Sequence, residues 1–379
     1  MMQRTWREGR VSLSLRLPVN MIKSVKFQIA TLLWVLCTVF LFFPPPEAAI
    51  ETLFSRGWYR WVLSLTTPVT QSLQFPAALG LISAAVTAVL IRWIRYRVAF
   101  SKSDNLTRRG STFLRLIRNT YLALPFLLGW FLVFWGAGYQ RIPAADRLGL
   151  GDGADWTTEE ASFREYLLET VVLNETPAGR RDSGNAIAAV SAAMRRTVEE
   201  WDGSPISLPA QVKAVPRGTL LLSGTSGICV PFTLEPLVDS ALPDATFVST
   251  AAHELGHIAG FCAEDEATFI GHVAGLLADD RFARYACALS AYMDLIGRLK
   301  GDEFKAAFEV LPPQAKRDLE EARDVYHRYR IDWFGKLTFL LYDRYLKVQG
   351  IQDGVQNYSR GIDLLGSAWR KGMLPDGPP

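Results

Sequence analysis

At 379 residues the chain has room for two ordinary domains, or for one domain and a membrane region. Hydrophobic residues make up 49%, high for a wholly soluble protein, and 41 basic against 38 acidic residues leave a balance that speaks against nucleic acid as a partner. Four cysteines (Cys37, Cys229, Cys262, Cys287) with no CxxC and no paired spacing exclude a disulfide scaffold. Cys37 lies in an apolar run; the other three suit one bridge plus a thiol, or three buried thiols.

Three apolar stretches come first. Spans are expected at about 24–43, 75–94 and 120–139, the first running from Phe27 to Phe43 and stopping at Pro44-Pro45-Pro46. Each has roughly 17–20 residues with almost no charge, enough to cross ~30 Å of hydrocarbon as a helix. Buried core helices rarely run so long without a polar face. Basic residues crowd before the first span (Arg4, Arg7, Arg10, Arg16, Lys23, Lys26) and between the second and third, where Asp104 is the single acid. The loop between the first two holds Arg56 and Arg60, offset by Glu47 and Glu51. The bias places the N-terminus in the cytoplasm and everything after Tyr139 outside. The first span also has the build of a signal peptide, with small residues at Ala48-Ala49, although the triple proline and Glu47 make a poor cleavage site.

Residues 1–145 are thus read as a membrane anchor and 146–379 as an extracytoplasmic domain. Periodicity predicts helices over Thr158–Leu173 and Gly184–Trp201. Short strands are predicted at Thr219–Ser223 and Gly227–Phe232, bracketed by glycines and a proline. From Phe247 onward the pattern is helical, with breaks at Gly260, Pro312-Pro313 and Gly350. Strands followed by helices mean an α+β, mostly helical domain.

The chemistry concentrates in His253-Glu254-Leu255-Gly256-His257. Histidines at i and i+4 share one helix face, one turn apart, where both imidazoles can grip a single Zn²⁺. Glu254 falls beside them, placed to take a proton from a water that zinc has made acidic. Ser249 or Thr250 is the expected N-cap, and Gly260 the stop. A third ligand is required. Gly260 can turn the chain so that a helix starting at Glu264-Asp265-Glu266 aims Glu264 back at the metal. Glu264 is therefore the first candidate and Glu266 the alternative, with Asp265 and His272 behind them; Cys262 reads as packing. The acids also suit a helix N-terminus without any metal. The Gly227–Phe232 strand suits main-chain pairing with an extended peptide. Tyr358, Arg360 and His327 are conceivable oxyanion donors.

The block HELGH-IAGFCAEDEATFIG resembles the HExxH…GFAxEDEANF block of a bacterial membrane family known as domain of unknown function 3810. Trp135-Gly136…Tyr139, Gly227-Ile228…Pro231-Phe232-Thr233…Glu235 and Arg344-Tyr345-Leu346-Lys347…Tyr358 are similar to it as well. The resemblance implies a zincin-like, gluzincin-type domain behind a three-helix anchor in a bacterial cytoplasmic membrane, with His253, His257 and Glu264 on the metal. It differs at Cys262, Ala263 and Thr268, the last standing where asparagine is usual, which bears on a hydrogen bond behind the ligands.

The expectation is a zinc metallopeptidase acting on a peptide or protein of the cell envelope, with the lipid bilayer as its other partner. A non-catalytic zinc-binding sensor is the alternative. A site-2-type intramembrane protease fits less well, because so many ionisable residues near the motif would be costly in a bilayer.

Overall fold

A computed structural model describes residues 24–101, 106–151, 159–348 and 360–375. Three helices are long and apolar enough to cross a membrane: α1 (Val25–Phe42), α3 (Ala77–Ser101) and α4 (Leu106–Phe134), with apolar windows at Val25–Phe42, Ala77–Arg95 and Ile117–Phe134. Their aliphatic side chains, such as Leu32, Val89 and Leu127, are exposed, as lipid-facing groups would be.

The chain divides into two compact units, residues 1–43 with 99–130 and residues 44–98 with 131–379. This differs from a division at residue 145. In the first unit Tyr121 stacks on Phe27 at 5.0 Å, pairs with the Thr31 hydroxyl at 2.7 Å, and accepts from the Trp34 indole through its carbonyl at 3.2 Å.

The second unit contains a segment that the sequence presents only as the loop between two spans. Ile50–Trp58 is π-helical and continues into α2 (Tyr59–Ser72). One face of α2, with Tyr59, Val62 and Leu63, belongs to the main hydrophobic core. Tyr59 donates to the Ile258 carbonyl at 2.8 Å. A buried ionic network fastens the same segment: Glu51 accepts from Arg141 and Arg56, and Asp202 from Arg60, Arg141 and Arg147, at distances from 2.5 to 2.7 Å. Burial opposes ionisation of Glu51, but Arg141 and Arg56 prevail and hold it down at about 2.

Around this core lie α5 (Glu160–Asn174), α6 (Ser183–Asp202), α7 (Asp244–Ile258), α8 (Glu264–Leu276), α9 (Arg281–Ile296), α10 (Gly301–Glu309), α11 (Pro313–Tyr329), α12 (Asp332–Val348) and α13 (Arg360–Arg370). Phe163, Leu167 and Val171 on α5 show the i, i+4, i+8 spacing that buries one helix stripe. The expected break at Gly350 lies outside the described residues.

The sheet has three short strands, β1 (Lys213–Val215), β2 (Gly227–Val230) and β3 (Glu235–Asp239), in the order β1-β3-β2. β1 runs parallel to the fully buried β3, and β2 antiparallel to it. The strand expected at Thr219–Ser223 is instead a 3₁₀ turn, Leu221–Ser223. The cause is Asp239, whose carboxylate accepts the backbone N–H groups of Gly218, Leu220 and Leu221 and so curls that stretch. Glu235 accepts the N–H groups of Ala77 and Ala78 at 3.0 and 2.8 Å, capping the start of α3 with a negative charge. All four cysteines are free thiols and buried.

Candidate metal centre

α7 begins at Asp244 after Pro243, five residues ahead of the expected caps. Proline cannot extend a helix backwards, and Asp244 suits the positive first turn. Ser249 lies inside the helix, its hydroxyl bonded to the Thr246 carbonyl. The helix does end as expected. Gly260 takes φ +91°, its N–H bonds the His257 carbonyl, and the Phe261 N–H bonds the Gly256 carbonyl. This is a Schellman turn. Phe261 anchors it, fully buried, with the Arg141 and Arg147 guanidinium groups over its ring. The reversal lets α8 start at Glu264, directly across from the histidines.

His253, His257 and Glu264 converge, with one donor atom from each lying within 4.8 Å of the others. Glu264 Oε2 is 3.0 Å from His253 Nε2 and 3.4 Å from His257 Nε2. Two donors of a tetrahedral zinc with ~2.05 Å bonds stand roughly 3.3 Å apart, so the spacing suits that ion. The tautomers agree. His257 Nδ1 is 2.9 Å from the Phe261 carbonyl, which can only accept, so Nδ1 carries hydrogen and Nε2 of the neutral ring turns a lone pair towards a carboxylate. A cation between them resolves that repulsion. The same demand for positive charge raises the ring's basicity: burial disfavours charge on His257, but the Glu264 carboxylate overrides it and raises the imidazole to about 9, so a proton can take the cation's place. Burial likewise opposes charge on Glu264, yet the histidines hold it well below the usual carboxylate range.

His253 Nδ1 is 3.1 Å from the Thr268 hydroxyl, so the threonine that stands for the usual asparagine still reaches the ring. The other Glu264 oxygen accepts from the Tyr342 hydroxyl on α12. Tyr342 stacks on Tyr345, and Tyr345 donates to Tyr139. Sequence reasoning missed Tyr342; its only signal was an i, i+3 tyrosine pair on one helix face.

Glu254 is buried beside β2. It accepts a hydrogen bond from the Cys229 backbone, while Oε2 has no protein partner. Burial raises its carboxyl to about 7 against the opposing pull of His253 and His257. Gly227 makes this fit, since a Cβ there would lie 2.6 Å from Glu254 Oε1 and 2.7 Å from Thr250 Cγ2. β2 is an edge strand, with Ile228 exposed.

The other acids and histidines are engaged elsewhere. Glu266 accepts the Ala144 N–H at 2.5 Å. Asp265 accepts the Glu266 N–H, and His272 pairs with Asp294 at 3.0 Å. Cys262 bonds the Trp135 carbonyl. His327 sits in the last turn of α11, Arg360 opens α13, and Tyr358 lies outside the described residues.

These features define a mostly helical protein with three apolar helices, a small mixed sheet, and a His–His–Glu donor cluster beside a buried carboxylate. The chain belongs to the family described as protein of unknown function (DUF3810), whose model matches residues 54–366. No curated protein and no solved structure matches it.

Proposed function

We propose that the protein is a membrane-anchored zinc peptidase, zincin-like in its catalytic elements, which hydrolyses peptide bonds in polypeptides of the cell envelope. The observation that carries this reading is the meeting of His253, His257 and Glu264, one donor atom from each within 4.8 Å of the others, next to the unpartnered Oε2 of Glu254. Those three residues would hold zinc, which when bound supplies a Lewis acid and lowers the pKa of water towards ~7. Glu254, with its carboxyl near neutrality, takes a proton from the attacking water and returns it to the amine as the C–N bond breaks. Thr268 and the Phe261 carbonyl orient the two imidazoles; Tyr342 fixes the Glu264 carboxylate. The β2 edge offers main-chain groups to an extended substrate.

Two features support the anchoring. Two spans, α3 and α4, separate residues 44–72 from the chain after α4 and return it to the same side, and the core shared by α2 and α7 agrees with that. The basic bias around the spans supports an exterior position for that side.

The test uses the full-length protein purified in detergent. Elemental analysis should give one zinc per chain, and a peptide library should be cut. Glu254→Gln should keep the zinc and lose at least about 100-fold in rate. Glu264→Ala should lose the metal. Equal inertness of wild type and Glu254→Gln, with zinc retained in both, would replace the peptidase by a zinc-binding module.

A further inference from the structure

Two helices of the second unit leave apolar stripes uncovered. On α2, Trp61, Leu65 and Val69 follow one another at i, i+4 and i+8 and are all exposed, while the opposite face enters the core. On α12, Trp333, Leu337, Leu340 and Leu341 share a face at i, i+4, i+7 and i+8; Trp333, Leu340 and Leu341 are 68%, 60% and 64% exposed. Exposed apolar stripes of this length mark an interaction surface.

The contacts of both helices identify the occupant. Trp58, one turn before Trp61 and tilted against its ring at 5.1 Å, donates its indole N–H to the Val133 carbonyl at 2.9 Å and packs edge-on against Phe134. Tyr345, on the last turns of α12, packs edge-on against Phe131 at 6.2 Å. Phe131, Val133 and Phe134 are the last residues of the third apolar window. Four residues beyond α2, α3 opens the second window with its N–H groups held by Glu235. Each stripe thus continues the apolar surface of a span at the point where that span ends. Tryptophan and tyrosine cluster there, as they do at headgroup level. Lys336, Arg344 and Lys347 border the α12 stripe, with stems long enough to reach phosphates.

We propose that α2 and α12 lie in the membrane interface as a collar around the ends of the second and third spans, their stripes seated among lipid headgroups and upper acyl chains. The collar fixes the height of the metal centre as well. Trp135, directly after the third span, stacks edge-on against the His257 ring at 6.1 Å, and α12 carries Tyr342 to Glu264. The inference concerns lipid contact and stands whether or not the centre cleaves peptides.

The full-length protein is reconstituted in liposomes of phosphatidylcholine and phosphatidylglycerol. Nitroxides are placed singly at Leu65→Cys and Leu340→Cys, with Leu81→Cys on the second span and Glu320→Cys on the charged face of α11 as references. Power saturation then compares access by oxygen and by a water-soluble nickel chelate. Labels on the collar should favour oxygen severalfold over the Glu320 label and approach the Leu81 label. Nickel access equal to that at Glu320 overturns the proposal, and so does shielding from both reagents, the mark of a second copy or another protein on the stripe. Val69→Cys and Leu341→Cys repeat the measurement where a first variant fails to fold.

Discussion

His253 and His257 each commit one ring nitrogen to the protein, and those commitments leave the other nitrogen facing the Glu264 carboxylate. Thr268→Ala should weaken zinc binding by roughly 10–100-fold, read by competition with a chelator, while leaving the fold intact. His272→Ala should leave zinc affinity unchanged, because that ring faces Asp294. Gly227→Ala brings a methyl group to 2.6 Å from Glu254 Oε1, so the strand or the carboxylate must shift. The expected cost is about 1–3 kcal/mol of stability, with a larger loss of cleavage than of zinc. The two histidines and Glu254 were legible because helical spacing alone brings them together. Glu264 was legible because a glycine stop and an acidic helix start bracket a four-residue turn. Tyr342 was not: it lies 78 residues from Glu264, and no local pattern reports so distant a partner.

Among the elements, the Ile50–Ser72 helical stretch is the least expected and among the most firmly tied. Glu51 ionises at about 2 in the fold against an ordinary 4.5. Its pairing therefore stabilises the fold fully above about pH 4.5, and the contribution, on the order of 3 kcal/mol, fades as pH falls towards 2. Glu51→Gln should lower the Tm at pH 7 by leaving Arg141 with Asp202 as its remaining acidic partner, and flatten the fall of Tm between pH 5 and 3, measured by thermal unfolding in detergent. This stretch was hidden in the sequence by its place between two spans. Its buried residues are tyrosine, threonine and arginine as often as aliphatic, so apolar periodicity gave little notice. β1 and β3 escaped notice for a similar reason: three and five residues, one broken by Pro236, are too short for alternation to show. Asp239 misled in the other direction, turning an apolar run with strand character into a 3₁₀ turn.

At the scale of the molecule, the hydrophobic core that carries the centre draws on two stretches of chain between which the second and third apolar helices lie in sequence. A fragment of residues 146–379 lacks Tyr59, Val62, Leu63 and Trp135 from the core, and leaves Asp202 without Arg60 and Arg141. It should aggregate or bind ANS as a loosely packed state. Joining residues 44–72 by a flexible linker to 131–379 should restore a cooperative melt. The same interruption bears on biogenesis. Tyr59 leaves the ribosome 199 residues before the Ile258 carbonyl that it must meet, and the second and third apolar helices have to be threaded in between. In the proposed topology, a chain that misthreads this hairpin puts Arg60 on the opposite side of the bilayer from Asp202, its ion-pair partner. In that topology the core closes only when both helices have inserted, which makes core formation a check on insertion.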